Sequence, residues 1–62
     1  MKVKCIETVT DGNGIITHIA GNEYYVLEQG GCGKTIECEK NTGYAECAIF
    51  NDDEAFTSVL AN

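Results

Sequence analysis

Sixty-two residues read as one domain, spanning 1–62, with no room for a second. A chain of this size buries only about 60% of the surface its unfolded form exposes, so its core is thin; an apolar content of 44% nevertheless excludes a disordered chain. Ten acidic residues against four lysines and no arginine give a net charge of −6, which disfavours direct contact with nucleic-acid phosphates or anionic membranes and favours a basic protein partner.

No apolar run approaches the roughly 20 residues needed to cross a bilayer. Met1-Lys2-Val3-Lys4 leads into Glu7 and Asp11 rather than an apolar segment, so no export signal is read and the cytoplasm is the expected compartment. For Cys5, Cys32, Cys38 and Cys47 that compartment favours free thiols packed as small hydrophobes over a disulfide framework.

Residues 2–9 alternate and are rich in Val, Ile and Thr, which predicts a first strand with Val3 and Cys5 on one face and Ile6 on the other. Asp11-Gly12-Asn13-Gly14 is the strongest turn signal in the chain, because Asp-Gly and Asn-Gly supply the positive φ of a tight reversal. Residues 15–19 form a second, β-branched strand, and Gly21-Asn22 turns the chain again. Residues 23–28, apolar in the middle and charged at both ends, are a third strand. Three glycines in residues 30–33 make a flexible loop. Residues 34–39 alternate, residues 40–43 read as a hairpin connection, and residues 44–50 make a fifth strand.

The tail changes period. Asn51 with Glu54 three residues on resembles a capping box, and Phe56, Val59 and Leu60 share one helical face. These features predict a short helical turn over 52–57, with residues 58–60 continuing it or pairing as a last strand. Five short strands joined by tight turns suit a small antiparallel barrel.

Lys2-x-Lys4-Cys5-Ile6, then Ile16-Thr17 ahead of Gly21-x-x-Tyr24-x-Val26, and Phe56 with Val59 near the end, resemble a group of short uncharacterised proteins encoded by phages and prophages. The resemblance covers most of the chain and implies an SH3-like barrel; members of the group mostly lack an assigned activity. It rests on structural residues, and three residues separate Thr17 from Gly21 where the group commonly has one.

Two motifs that suggest ligands fail on inspection. Gly33-Lys34-Thr35 looks like the end of a phosphate-binding loop, but the glycine required five positions earlier is Glu28 and no helix follows. Residues 11–16 imitate part of a calcium loop, but its first and twelfth ligands would be Val9 and Ala20. His18, in a strand without evident acid and thiol partners, reads as a surface or half-buried residue, so no catalytic residue is expected and the chain is read as a non-enzyme.

Cys32, Cys38 and Cys47, with Cys5 or His18, offer enough ligands for zinc, yet their spacings of five and eight residues are not those of zinc knuckles, and no cofactor is expected. Cys38 and Cys47 face each other across the 40–43 hairpin, within reach of chelation or oxidation. The glycine loop exposes Cys32.

The expected function is therefore that of a small acidic interaction module. Asp52, Asp53 and Glu54, with Glu37, Glu39 and Glu46, supply charge for a basic partner, and whichever of Tyr24 and Tyr25 points outward supplies an aromatic contact. Alternatives are a cysteine-based metal or redox domain using Cys32, Cys38 and Cys47, a DNA-mimicking inhibitor, and self-association through an open sheet edge.

Overall fold

The computed structural model describes residues 1–59. Seven strands follow in order: β1 (Lys2–Cys5), β2 (Val9–Thr10), β3 (Ile16–His18), β4 (Glu23–Gln29), β5 (Gly33–Glu37), β6 (Glu46–Phe50) and β7 (Phe56–Val59). Five of them form one antiparallel sheet in the order β6-β5-β4-β1-β7, and β2 and β3 form a separate hairpin. The fold is mainly β, a sheet curled into a half-barrel.

The curl originates in β4. Its first half pairs with β1, Val3 opposite Tyr24, and its second half pairs with β5, Val26 opposite Ile36. The register slips between Val26 and Glu28, and a slip of this kind bends a strand and increases its twist. One strand thereby serves both halves of the sheet.

Alternation places Val3 and Cys5 inward on β1, and with Tyr24 and Ile36 they form the buried apolar core. Val9, Val26, Ile49 and Phe56 pack against it. Ile6 does not continue this pattern. It is exposed, its N–H donates to the Ala55 carbonyl at 2.7 Å, and the predicted 2–9 strand breaks there before β2 resumes at Val9. The reason is tertiary, since the chain leaves the sheet to form a hairpin that covers the core.

That hairpin turns where expected. The Asp11 carboxylate accepts from the Asn13 and Ile15 N–H groups at 2.8 and 2.9 Å, and Gly14 adopts φ +82°. At the other end of the sheet, β5 runs so close to β6 that a Cβ on Gly33 would lie 2.6 Å from the Ile49 carbonyl oxygen. Gly33 is therefore a packing requirement as well as a loop residue.

The helical turn predicted over 52–57 is absent, and no helix occurs among the described residues. Residues 51–55 make consecutive turns, with Asp53 N–H on the Phe50 carbonyl and Phe56 N–H on the Asp53 carbonyl, and the chain then re-enters the sheet as β7. Phe56 lies opposite Cys5 and Val59 opposite Lys2. The alternative of a last strand is the one adopted; Leu60 lies outside the described residues. Asn51 does not cap a helix. Its amide donates to the Gly31 carbonyl and accepts from Gln29, which clamps the glycine loop.

Candidate functional site

His18 stands at the centre of the molecule's polar chemistry. Only 2% of it is exposed, which corrects the expectation of a surface or half-buried residue. Both Thr17 and His18 are buried because the β2–β3 register slips between Val9 and Thr10, breaking the in–out alternation. The ring packs edge-on against Tyr24 and Phe56, with centroids 4.7 and 5.1 Å away.

Each ring nitrogen has a partner. Nε2 lies 2.9 Å from the Glu37 carbonyl oxygen and Nδ1 lies 3.0 Å from the Thr17 hydroxyl. A carbonyl only accepts, so the neutral ring carries its proton on Nε2 and Thr17 donates to Nδ1. Burial pushes the imidazole below its usual range, opposed by the Glu37 carbonyl and the charges of Glu39 and Asp53.

Cys38 and Cys47 are joined in a disulfide across 6.4 Å between their Cα atoms, which corrects the expectation of free thiols for this pair. Cys38 has just left β5 and Cys47 lies within β6 opposite Ile36. The two sulfurs and a ring nitrogen of His18 all lie within 4.8 Å of one another. Cys32 is not among them. It is exposed in the glycine loop, while Cys5 is a buried free thiol. Burial raises the Cys5 pKa, and the thiol donates to the Glu7 carbonyl at 2.9 Å. The candidate ligand set is thus His18, Cys38 and Cys47 rather than Cys32, Cys38 and Cys47; His18 comes from a third element that spacing along the chain does not connect to the cysteines.

Tyr24 and Glu39 lie beside this cluster. The Tyr24 hydroxyl accepts from the Ile19 N–H at 2.7 Å and donates to Glu39 at 2.5 Å; Asn22 donates to the same carboxylate oxygen. Burial, then Glu39, push the phenol up to about 12, and the bonds from Tyr24 and Asn22 hold Glu39 below the ordinary carboxylate range. Tyr24 is therefore the inward tyrosine of the pair and a core residue. Tyr25 is the outward tyrosine, 54% exposed, with the Lys2 ammonium 4.8 Å from its ring centre.

The acidic candidates do not share one face. Glu37 and Glu46 lie directly opposite each other across β5 and β6, and Asp52, Asp53 and Glu54 occupy the turns after β6. Glu46 opens β6 and Asp52 follows its end, so a strand of roughly 14 Å separates the two groups. Glu37 and Glu39 are half-buried rather than solvated, since Glu37 accepts from the Tyr25 N–H and Glu39 from Tyr24. Asp53 accepts from the Ala55 N–H within its turn. Asp52, Glu54 and Glu46 remain exposed.

Sequence reasoning missed the most exposed aromatic residue. Phe50 is 72% exposed and borders an open groove of about 290 Å³ lined by Glu28, Cys32, Gly33, Lys34 and Ile49. The signal was present: Cys47 and Ile49 point inward, so Ala48 and Phe50 must point outward. Among the described residues the one ion pair joins Lys2 to Glu23 at 3.7 Å, so Glu28, Asp52 and Glu54 make none, and Lys34 is the cation lining the same groove.

Compared with models of protein families, with curated proteins and with solved structures, the chain finds no match. No helix among the described residues is long and apolar enough to cross a membrane.

Proposed function

We propose that this chain is a small SH3-like interaction module of phage or prophage origin that binds a protein partner through a basic, apolar-tipped segment. The observation that carries the reading is Phe50, exposed beside a groove with Glu28 and Lys34 in its wall and Asp52 and Glu54 in the adjoining turns, three acids against one lysine and none of them in an ion pair among the described residues. An exposed aromatic ring supplies contact area and the unpaired acids supply steering and sign selection.

The SH3-like reading is supported by the strand order β6-β5-β4-β1-β7, by a long β4 shared between both halves of the sheet, and by a hairpin inserted between β1 and β4. The phage-group reading is supported by Lys2, Lys4, Cys5, Tyr24, Val26, Phe56 and Val59, all of which lie on the paired strands β1, β4 and β7.

Affinity capture from bacterial lysate at about 50 mM and about 500 mM salt tests the reading, because exposed charge contacts are screened at the higher value. A partner held at low salt, released at high salt and lost on Phe50→Ala is expected. No partner at either salt, or one indifferent to Phe50, overturns it.

A second reading is favoured by one observation, the Cys38–Cys47 bond against His18. Stable disulfides are rare in a reducing cytoplasm, so there the pair is expected as a dithiol and the chain as a redox-responsive domain. Counting thiols after mild oxidation and again after reduction tests it: two then four supports it, and four throughout overturns it.

A further inference from the structure

We propose that the reduced Cys38–Cys47 pair and His18 form a binding site for a zinc-class cation, closed to metal while the disulfide is intact. The proposal rests on the redox-responsive reading above and adds a ligand to it.

The donor set selects the cation. Two thiolates and one imidazole are soft to borderline ligands, suited to zinc and unsuited to magnesium or calcium, which take oxygen. Ligands of a tetrahedral zinc stand roughly 3.5–3.8 Å apart. The three donor atoms already lie within 4.8 Å, so the sulfurs must separate by roughly 1.7 Å from disulfide bonding distance and the imidazole approach by up to about 1.3 Å. Side-chain rotation of two half-buried cysteines supplies that movement, since Cys38 begins the 38–45 connection and is not held in a strand. Three protein ligands leave a fourth position for solvent, to which the half-buried cysteines give partial access.

The surroundings of His18 suit ligation. A metal-binding histidine donates its second ring N–H to a neighbouring acceptor, which fixes the ring's tautomer and orientation. Thr17 occupies that place, with its hydroxyl 3.0 Å from Nδ1 and 3.3 Å from the Val9 carbonyl. When Nδ1–H donates to Thr17, the Thr17 hydroxyl donates to Val9. Nε2, beside Glu37 and hence beside Cys38, then releases its carbonyl partner and turns its lone pair to the metal. In the oxidised protein the opposite tautomer holds, with Nε2–H on Glu37. Thr17 is a positioning residue and touches no ligand of the cation directly.

The redox step balances through a dithiol reductant. One of its thiolates attacks a protein sulfur and breaks the S–S bond. That leaves a mixed disulfide and frees the other protein sulfur; the reductant's second thiol then closes its own disulfide and releases the sulfur first attacked, so two electrons and two protons pass to the protein. Metal binding expels the two thiol protons. A water-soluble phosphine does the same in vitro without chelating metal; the water oxygen leaves on the phosphine oxide.

The test is anaerobic titration of the phosphine-reduced chain with cobalt(II), a spectroscopic substitute for zinc. Thiolate-to-cobalt charge-transfer absorption and tetrahedral visible bands saturating at one equivalent, bleached by zinc, are expected for the reduced chain only. Cys32→Ser should retain them and Cys47→Ser should lose them. Thr17→Val should weaken binding about 10- to 100-fold while the thiol count stays at four. His18→Asn is informative if folded; the cysteine variants, which leave the buried ring in place, keep the test decisive if it is not. A reduced chain with four thiols and no cobalt bands overturns the metal site while leaving the redox reading intact. Bands that persist in Cys47→Ser, or equal bands in the oxidised chain, also overturn it. Four thiols that persist through mild oxidation overturn the redox reading itself.

Discussion

The phenol of Tyr24 donates to the carboxylate of Glu39 at 2.5 Å while accepting the Ile19 N–H at 2.7 Å, so a single side chain ties β4 to two loops above the core. Tyr24 is otherwise buried against Val3 and His18, and this bond is its polar outlet. A core of four buried apolar residues leaves few other contacts to share the load.

Tyr24→Phe should lower stability by about 1–2 kcal/mol in urea unfolding, chiefly because the Ile19 N–H loses its acceptor. The pH dependence has a definite sign. With a folded pKa near 12 against an ordinary value of 10.0, the protonated phenol favours the folded state. Its contribution is complete below pH 10 and is lost as pH rises toward 12. Unfolding curves across that window should show an alkaline decline in the wild type that is reduced in Tyr24→Phe; identical declines would refute the assignment.

Gly33→Ala should destabilise the fold by roughly 1–3 kcal/mol, because its methyl would meet backbone and not a movable side chain. The gap of 2.6 Å to the Ile49 carbonyl requires β5 and β6 to separate. Thermal melting measures this directly, and Gly31→Ala, with nothing within 4 Å of its added carbon, is the matched control.

Reducing the Cys38–Cys47 bond should lower stability by up to about 3 kcal/mol, the loop-closure value for the short connection it closes. Urea unfolding with and without phosphine gives the difference. Native thiol labelling of the oxidised chain should count one fast thiol, Cys32, and a second, Cys5, only on unfolding. Equal labelling of both in the native state would contradict the burial of Cys5.

Phe50→Ala should change stability by less than about 0.5 kcal/mol, as expected for an exposed side chain, while abolishing partner capture. A large fall in melting temperature would instead make Phe50 a structural residue.

Much of the strand pattern is legible along the chain because each strand's evidence is local. Val3 and Cys5 alternate with lysines, and Asp11 to Gly14 carry their own turn chemistry. Residues 34–39 likewise alternate about Ile36, which lies in the core. The capping box at Asn51 misleads for an equally local reason: its residues suit a helix, but Phe56 to Val59 gain more by completing the β1 edge, and Asn51 is drawn to Gly31.

The candidate site was only half legible. The 40–43 hairpin placed Cys38 near Cys47, which nearest-neighbour pairing allows one to read. His18 joins them from β3, nineteen residues before Glu37 in sequence, through a hydrogen bond that exists only once the β2–β3 hairpin folds over the sheet. The sequence by itself determined a thin-cored, acidic, mostly stranded domain, since charge, alternation and turn residues act over a few positions. Tertiary structure alone decided that the histidine is buried, that Tyr24 belongs to the core, and that the acidic residues divide between the two ends of β6. The first depends on the β2–β3 bulge, which breaks alternation so that Thr17 and His18 are both buried. The others depend on strand pairing, which sets Tyr24 against Val3 and Glu37 against Glu46. All follow from packing rather than from any short run of side chains.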